Sequence, residues 1–327
     1  MLKEIIEEIK KSKTEKQSVD AQEAYNLWDS LRNRYDGIEQ LQIIKNFIHD
    51  SDFNLLTQGV LRNIFEEQTN ELEDLLNKYQ IDLPKRPPKS VRTPLIMEAY
   101  TDRYLSLLVI DLIKKDIDIF IHSIATSLTN DNVRYTFREF LNKELDLYDK
   151  GLKYVKLKGW ISAPPLYPNL PKGTKEKLNT SEAFQLWDHL IARYDAVEIT
   201  QVYQNQAHDK DFRYLLGKGL KDILEKQIDI LEKEMNNFGL PLPARPPKSV
   251  STTKSEMLED ELIFKELFSS IQDMLSLHTA GIKQTTTNDR LREIIRKFLN
   301  EELDTFNNFV KYGKLKGWTR PVPMHRP

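Results

Sequence analysis

The sequence predicts an all-α protein made of two tandem four-helix bundles, each with one long crossover between its second and third helices. Three observations carry this. Apolar residues recur at three- and four-residue steps through long stretches of the chain, the period of a helix with one buried face. The same residue pattern occurs twice, 159 positions apart. Prolines cluster between the second and third helical stretches of each copy, and again between the copies.

The duplication is read directly. Trp28 matches Trp187, Glu39 matches Glu198, His49 matches His208, and RPPKSV stands at both 86–91 and 245–250. From Glu23 to Val91, 32 of 69 positions are identical to those 159 further on, and KLKGW (156–160 and 314–318) repeats at 158, so one residue is lost in between. A period of that size is a whole domain, not a solenoid unit. The expected organisation is an N-terminal amphipathic helix over 1–16, a first bundle over 17–161, a proline-rich linker over 162–176 and a second bundle over 177–327. Pro164, Pro165, Pro168 and Pro171 make the linker extended and semi-rigid.

Within the first copy, Asp20 with Glu23 has capping-box spacing, as does Asn179 with Glu182 in the second. These pairs start helix 1, which continues through Leu27, Trp28, Leu31, Tyr35 and Ile38 to about His49. Asp52 is placed to cap helix 2, whose apolar positions Leu56, Leu61, Ile64, Leu72 and Leu76 reach about Tyr79. The prolines of DLPKRPPKSVRTP deny amides to any helix and predict an extended crossover. Helix 3 is expected over about 98–127 and helix 4 over about 133–158, with Gly159 at a left-handed stop and Trp160 beyond it. Short, long and short connections give the connectivity of ferritin-like bundles.

Composition excludes several function classes. The chain has 327 residues, 39% hydrophobic and 30% charged, with a formal charge of -2 and interspersed signs, so it carries no electrostatic footprint for nucleic acid. It has no cysteine, which removes disulfides and thiolate chemistry. No apolar run spans a bilayer, and MLKEIIEEIKKSK lacks the apolar core of a signal peptide, so a cytoplasmic protein is expected. No Walker A, dinucleotide-binding, zincin or nucleophile-elbow motif occurs.

W-D-x-L-x-x-R-Y, H-D-x-D-F, L-P-x-R-P-P and K-x-K-G-W, present in both halves, resemble the bacterial domain-of-unknown-function family 3231. The resemblance covers nearly the whole chain. It implies ferritin-like bundles, endospore-forming hosts and, for some members, a spore-coat label.

The candidate site is a polar stripe. Glu39, Gln42, Asn46 and His49 step by three, four and three, continuing the line of Trp28, Leu31 and Tyr35, and so are expected to point into the bundle. Their duplicates are Glu198, Gln201, Asn205 and His208. Gln68 and Glu144, with duplicates Gln227 and Glu302, lie on apolar stripes of their own helices at mid-bundle height. In the second half His278 falls on the stripe of Phe264, Phe268, Ile271 and Met274, where the first half has Phe120, which makes the second site the chemically richer. His122 lies on a charged face.

A di-iron site needs Glu-x-x-His on two helices. None occurs, and Gln42 and Gln201 stand where the histidine would be. Two readings remain. In one, Glu198, His278 and Glu302 hold a single iron, manganese or zinc ion or a small ligand. In the other, the polar groups form a structural network, with Tyr35 and Gln68 satisfying Glu39. His49 and His208 are read as helix-end groups, and Arg86 and Lys89 of RPPK as either a weak anion site or part of a stiff crossover. At the level of function these become a non-enzymatic structural or interaction protein with sporulation as its setting, or a metal- or ligand-binding protein. The expected partners are proteins and the chain's own two halves packed as a pseudo-dimer.

Overall fold

The computed structural model describes residues 18–86, 101–161, 166–245, 259–319 and 322–326. The helix expected over 1–16 and most of both crossovers lie outside these residues. The described residues are all-α, with no strand and two isolated bridges, Asp20 to Met324 and Leu166 to Asn179. The chain divides into two compact units, 1–151 with 321–327 and 152–320.

In the first unit α1 is Ala21–Lys45. Then come α2 (Ser51–Val60), a π-helical turn over Leu61–Phe65, and α3 (Glu66–Lys78), which follow without a break because Val60, Leu61, Phe65 and Glu66 all keep right-handed helical dihedrals. Next is α4 (Asp102–Thr126), followed by α5 (Asp131–Leu157), whose last residues cluster with the second unit. The second repeat gives α6 (Thr180–Gln206), α7 (Lys210–Gly219), a π turn over Leu220–Leu224, α8 (Glu225–Asn237), α9 (Asp260–Gln284) and α10 (Asp289–Lys316).

The expected capping boxes form. Asp20 accepts the Glu23 amide at 2.8 Å and Glu23 accepts the Asp20 amide at 3.0 Å, with the same pair at Asn179 and Glu182. Glu23, fully buried, does more: it also accepts the amides of Thr129 and Asn130, pinning the α4–α5 turn to the start of α1. Glu182 does the same for Thr287 and Asn288. The opposite end is stitched by Asp102, which accepts the amides of His49 and Asp50 at 2.9 Å, and by Asp260, which accepts those of His208 and Asp209 at 2.8 Å. The cap of α2 is Asp50 and not Asp52, since the Asp50 carboxylate takes the Phe53 amide.

These stitches fix direction. The α1 start meets the α4–α5 turn and the α1 end meets the α4 start, so α4 runs against α1 and α5 runs with it. Asn130 donates to the Tyr79 hydroxyl at 3.0 Å, which puts the end of α3 at the α1-start end of the bundle. The connection from α3 to α4 therefore has its two ends at opposite ends of the bundle, as the long crossover requires. Between the stitches lies an apolar core that includes Leu27, Leu31, Phe137, Phe140 and Tyr148 in the first unit and Leu190, Phe298, Leu299 and Phe306 in the second. Each such side chain contributes roughly 1.5–3 kcal/mol by leaving water. KLKGW is a helix stop as read: Gly159 and Gly317 sit at φ 69°, and the Trp160 amide reaches back to the Val155 carbonyl.

Candidate functional site

Helix α1 turns a different face inward from the one its polar stripe marks. Leu27, Ser30, Leu31, Arg34, Gly37, Leu41 and Ile44 are buried, while Glu39 and Gln42 are half-buried and Asn46 and His49 exposed. In the second unit Glu198, Asn205 and His208 are exposed and Gln201 is half-buried. The expected inward stripe is thus corrected by about one residue, or 100° of rotation. Trp28 and Trp187 move with it, from core to half-buried positions. Tyr35 is satisfied by Glu73 at 2.6 Å and not by Glu39.

The residue that the rotation brings inward is an arginine. Arg34 is 1% exposed and donates from Nη1 to Glu144 at 3.1 Å, while Nη2 pairs with Asp116. Its guanidinium lies 4.1 Å from the centre of the Phe65 ring and 5.2 Å from that of Phe120. The π turn delivers Phe65 to this place, and Gly37 makes room for it: a Cβ there would meet the Phe65 ring at 2.7 Å. Gln68, fully buried, comes from the first turn of α3 and adjoins Glu144. Burial pushes the Glu144 carboxyl up to about 8, with Asp116 adding to the rise and Arg34 opposing it. Burial also raises Asp116. One guanidinium among two buried carboxyls leaves the pair sharing a proton, so the cluster is neutral overall.

The second unit repeats the arginine and changes its surroundings. Arg193 donates from Nη2 to Glu302 at 2.6 Å and to His278 Nε2 at 2.8 Å. A guanidinium only donates, so His278 accepts at Nε2 and carries its proton on Nδ1. His278 occupies the place of Phe120: it packs 6.1 Å from Phe298, as Phe120 packs 5.5 Å from Phe140. A second buried imidazole, His189, stands where the first repeat has Ser30. Its Nδ1 donates to the Gln185 carbonyl at 2.8 Å, and its ring lies 5.2 Å from that of His278. Gly281 admits it, since a Cβ there would come within 2.7 Å of the His189 ring.

Burial lowers His189 to about 3, with His278 adding to the effect, and lowers His278 to about 4. Burial raises Glu302, but the Arg193 guanidinium outweighs it and holds the carboxyl at about 2. The outcome is again neutral: one guanidinium, one carboxylate, two uncharged imidazoles. Gln227, nearly fully buried, reaches Glu301 at 2.7 Å.

Five of the expected residues, Gln68, Glu144, Gln227, His278 and Glu302, are therefore buried at the core clusters. Arg34, Arg193, Asp116 and His189 were missed, because a lone arginine or aspartate within a helix reads as solvated surface. The signal that could have found the arginines was R-Y repeating in both copies beside the buried tyrosine. The Glu198, His278, Glu302 ligand set does not assemble, because Glu198 is exposed while the other two are buried on Arg193. Among the described residues no group of three or more His, Cys, Asp or Glu is placed to hold a metal ion. No helix among them is long and apolar enough to cross a membrane.

The remaining motifs anchor the crossovers. Arg86 lies 3.6 Å from Glu73 and over the Tyr35 ring, and Arg245 binds Glu232 at 3.0 Å, where Glu232 also accepts from Tyr194. Lys89 lies outside the described residues. His49 and His208 sit 3.9 Å from Asp102 and Asp260 with exposed rings, and His122 is exposed too.

No curated protein matches the chain. Among solved structures it is similar to a "putative spore coat protein" from Bacillus halodurans C-125, at 23% identity, with 46% of this chain and 97% of that chain covered and a TM-score of 0.43. The family model described as "Protein of unknown function (DUF3231)" matches residues 7–172 and again 169–327. With its two repeats both matched over their full length, the chain belongs to this family of unknown function, DUF3231, and carries the family's domain twice.

Proposed function

We propose that the chain is a non-enzymatic structural or interaction protein, with the spore coat as its setting. One observation carries the reading: in both units the buried polar centre is filled by the chain's own guanidinium, which neutralises the chain's own carboxylate behind walls of Phe and Leu. Catalysis needs a group held back for a substrate, and a path to it. Here Arg193, His278 and Glu302 are each less than 5% exposed, and Arg193 donates to both of the others. Such a network fixes which helices meet and at what register.

The test is elemental mass spectrometry on untagged protein purified without chelators, before and after loading with iron, manganese and zinc. The expected result is no stoichiometric metal. Near-stoichiometric metal that disappears in Glu302→Gln would overturn the reading and favour a metal-binding protein. The setting is tested separately, by whether the protein is recovered in the coat extract of spores of its source organism; recovery only from the spore core removes it.

A further inference from the structure

The start of α1 is closed by a segment from far along the chain. The Ala21 amide, one of the four that a helix cannot satisfy itself, donates to the Pro323 carbonyl at 2.8 Å, and the His325 amide donates to the Val19 carbonyl at 2.9 Å. Together they make the bridge between Asp20 and Met324. The second unit closes the start of α6 in the same way: the Tyr167 amide donates to the Leu178 carbonyl at 2.7 Å, and Leu166 bridges Asn179.

The two closures are equivalent residue by residue. Met324 and His325 stand 158 positions after Leu166 and Tyr167, and Val19 and Asp20 stand 159 before Leu178 and Asn179. The segment after α5, which ends the first repeat, closes the helix that opens the second repeat. The segment after α10, which ends the second repeat, closes the helix that opens the first. Neither repeat closes its own first helix. The contact is made by backbone, with Leu166 51% and Met324 40% exposed, so it asks for an extended strand more than for particular side chains.

We propose that the start of α1 is a docking site for an extended arm, that its proper occupant is the arm of another copy of this repeat, and that this chain is the covalently tethered form of an arm-exchanged pair. A chain with a vacant site accepts the arm of a second copy.

The experiment deletes residues 321–327 and measures, by fluorescence anisotropy, binding of a labelled peptide of residues 318–327. The deletion chain is expected to bind it saturably, one to one, and the intact chain at least about ten-fold more weakly, because its tethered arm competes at high effective concentration. An unlabelled peptide of residues 161–170 displaces the label, and a 318–327 peptide with His325→Pro, which lacks the donating amide, does not bind. A folded deletion chain that ignores the peptide, or binds the proline variant equally well, overturns the site. Failure of the 161–170 peptide to displace overturns the interchange between copies. If the deletion chain does not fold, His325→Pro in the intact chain replaces it: hydrogen exchange over residues 18–24 is expected to quicken at least about ten-fold. Unchanged protection there overturns the proposal.

Discussion

Arg34 and Arg193 are the same residue in two copies and bind the equivalent glutamate, but Asp116 joins the first cluster and His278 the second, and that difference is measurable. Removing Arg193 leaves Glu302, a carboxyl that burial alone would raise, without its counter-charge. Loss of one member of such a buried pair costs about 3–5 kcal/mol. Arg193→Met is expected near the top of that range at neutral pH in urea unfolding of the second unit. Arg34→Met leaves Glu144, pushed up to about 8, beside Asp116, which burial also raises, so the pair that already shares one proton can take up a second. Its cost is expected to be smaller, by at least about 1 kcal/mol. Acidification gives Glu302 a proton and should narrow the gap; two variants with equal cost at every pH would refute the assignment of charge. The carboxyls and His278 were legible because they sit on apolar stripes, where a polar residue stands out. The arginines were not, since nothing local distinguishes a guanidinium aimed at a buried carboxyl from one in water, and the partner lies 110 residues away for Arg34.

Within single helices the duplication supplies its own controls. Gln80 closes α3 at φ 56°, where the second repeat has Gly239 at φ 66°, both followed by the same return bond from Ile81 to Leu76 and from Leu240 to Met235. A side chain in that left-handed region costs about 1–2 kcal/mol, part of it offset by the unfolded-state entropy of glycine. Gln80→Gly is therefore expected to raise the stability of the first unit by about 0.5–1 kcal/mol, read as a higher denaturant midpoint with unchanged slope. The His189 and Gly281 pair makes the converse case. Gly281→Ala drives a methyl into the His189 ring and is expected to cost about 1–3 kcal/mol despite better helix propensity. The first repeat has Ser30 and Ser123 at these places, so Gly281→Ser with His189→Ser should recover most of the loss. A double variant no better than the single would mean the two positions are not coupled. The bundle helices, the capping boxes of α1 and α6 and the stops were legible in the sequence, because apolar period, capping box and Gly-Trp stop are local signals, whereas the cap of α2 was read two residues late. The inward face of α1 was not: its line passes through Ser30, Arg34 and Gly37, none of which scores as apolar, while Trp28 drew the eye one position round.

At the scale of the whole molecule, the two units respond to pH in opposite directions. In the first, Glu144 is raised from the ordinary carboxylate range to about 8 by burial. A raised group contributes fully below its unfolded value and loses that contribution until pH passes the folded one, so the first unit weakens as pH rises from about 4.5 to about 8 and stays weakened above it. In the second, Glu302 is lowered to about 2, and His278 and His189 are lowered by burial to about 4 and 3. Lowered groups stabilise above their unfolded values and lose that contribution as pH falls, so the second unit weakens from about pH 6.5 downward as both imidazoles are driven toward charge. The source of the divergence is three exchanges in one core: Ser30 for His189, Asp116 for Met274 and Phe120 for His278, which together keep each cluster neutral. Hydrogen exchange followed by mass spectrometry assigns protection to each unit by its peptides. At pH 4 the peptides of α6, α9 and α10 are expected to lose protection before those of α1 and α4, and at pH 9 the order should reverse. Loss of both units together at either extreme would show that their stabilities are set elsewhere, and His278→Phe, which restores the residue of the first repeat, should remove much of the acid sensitivity of the second unit alone.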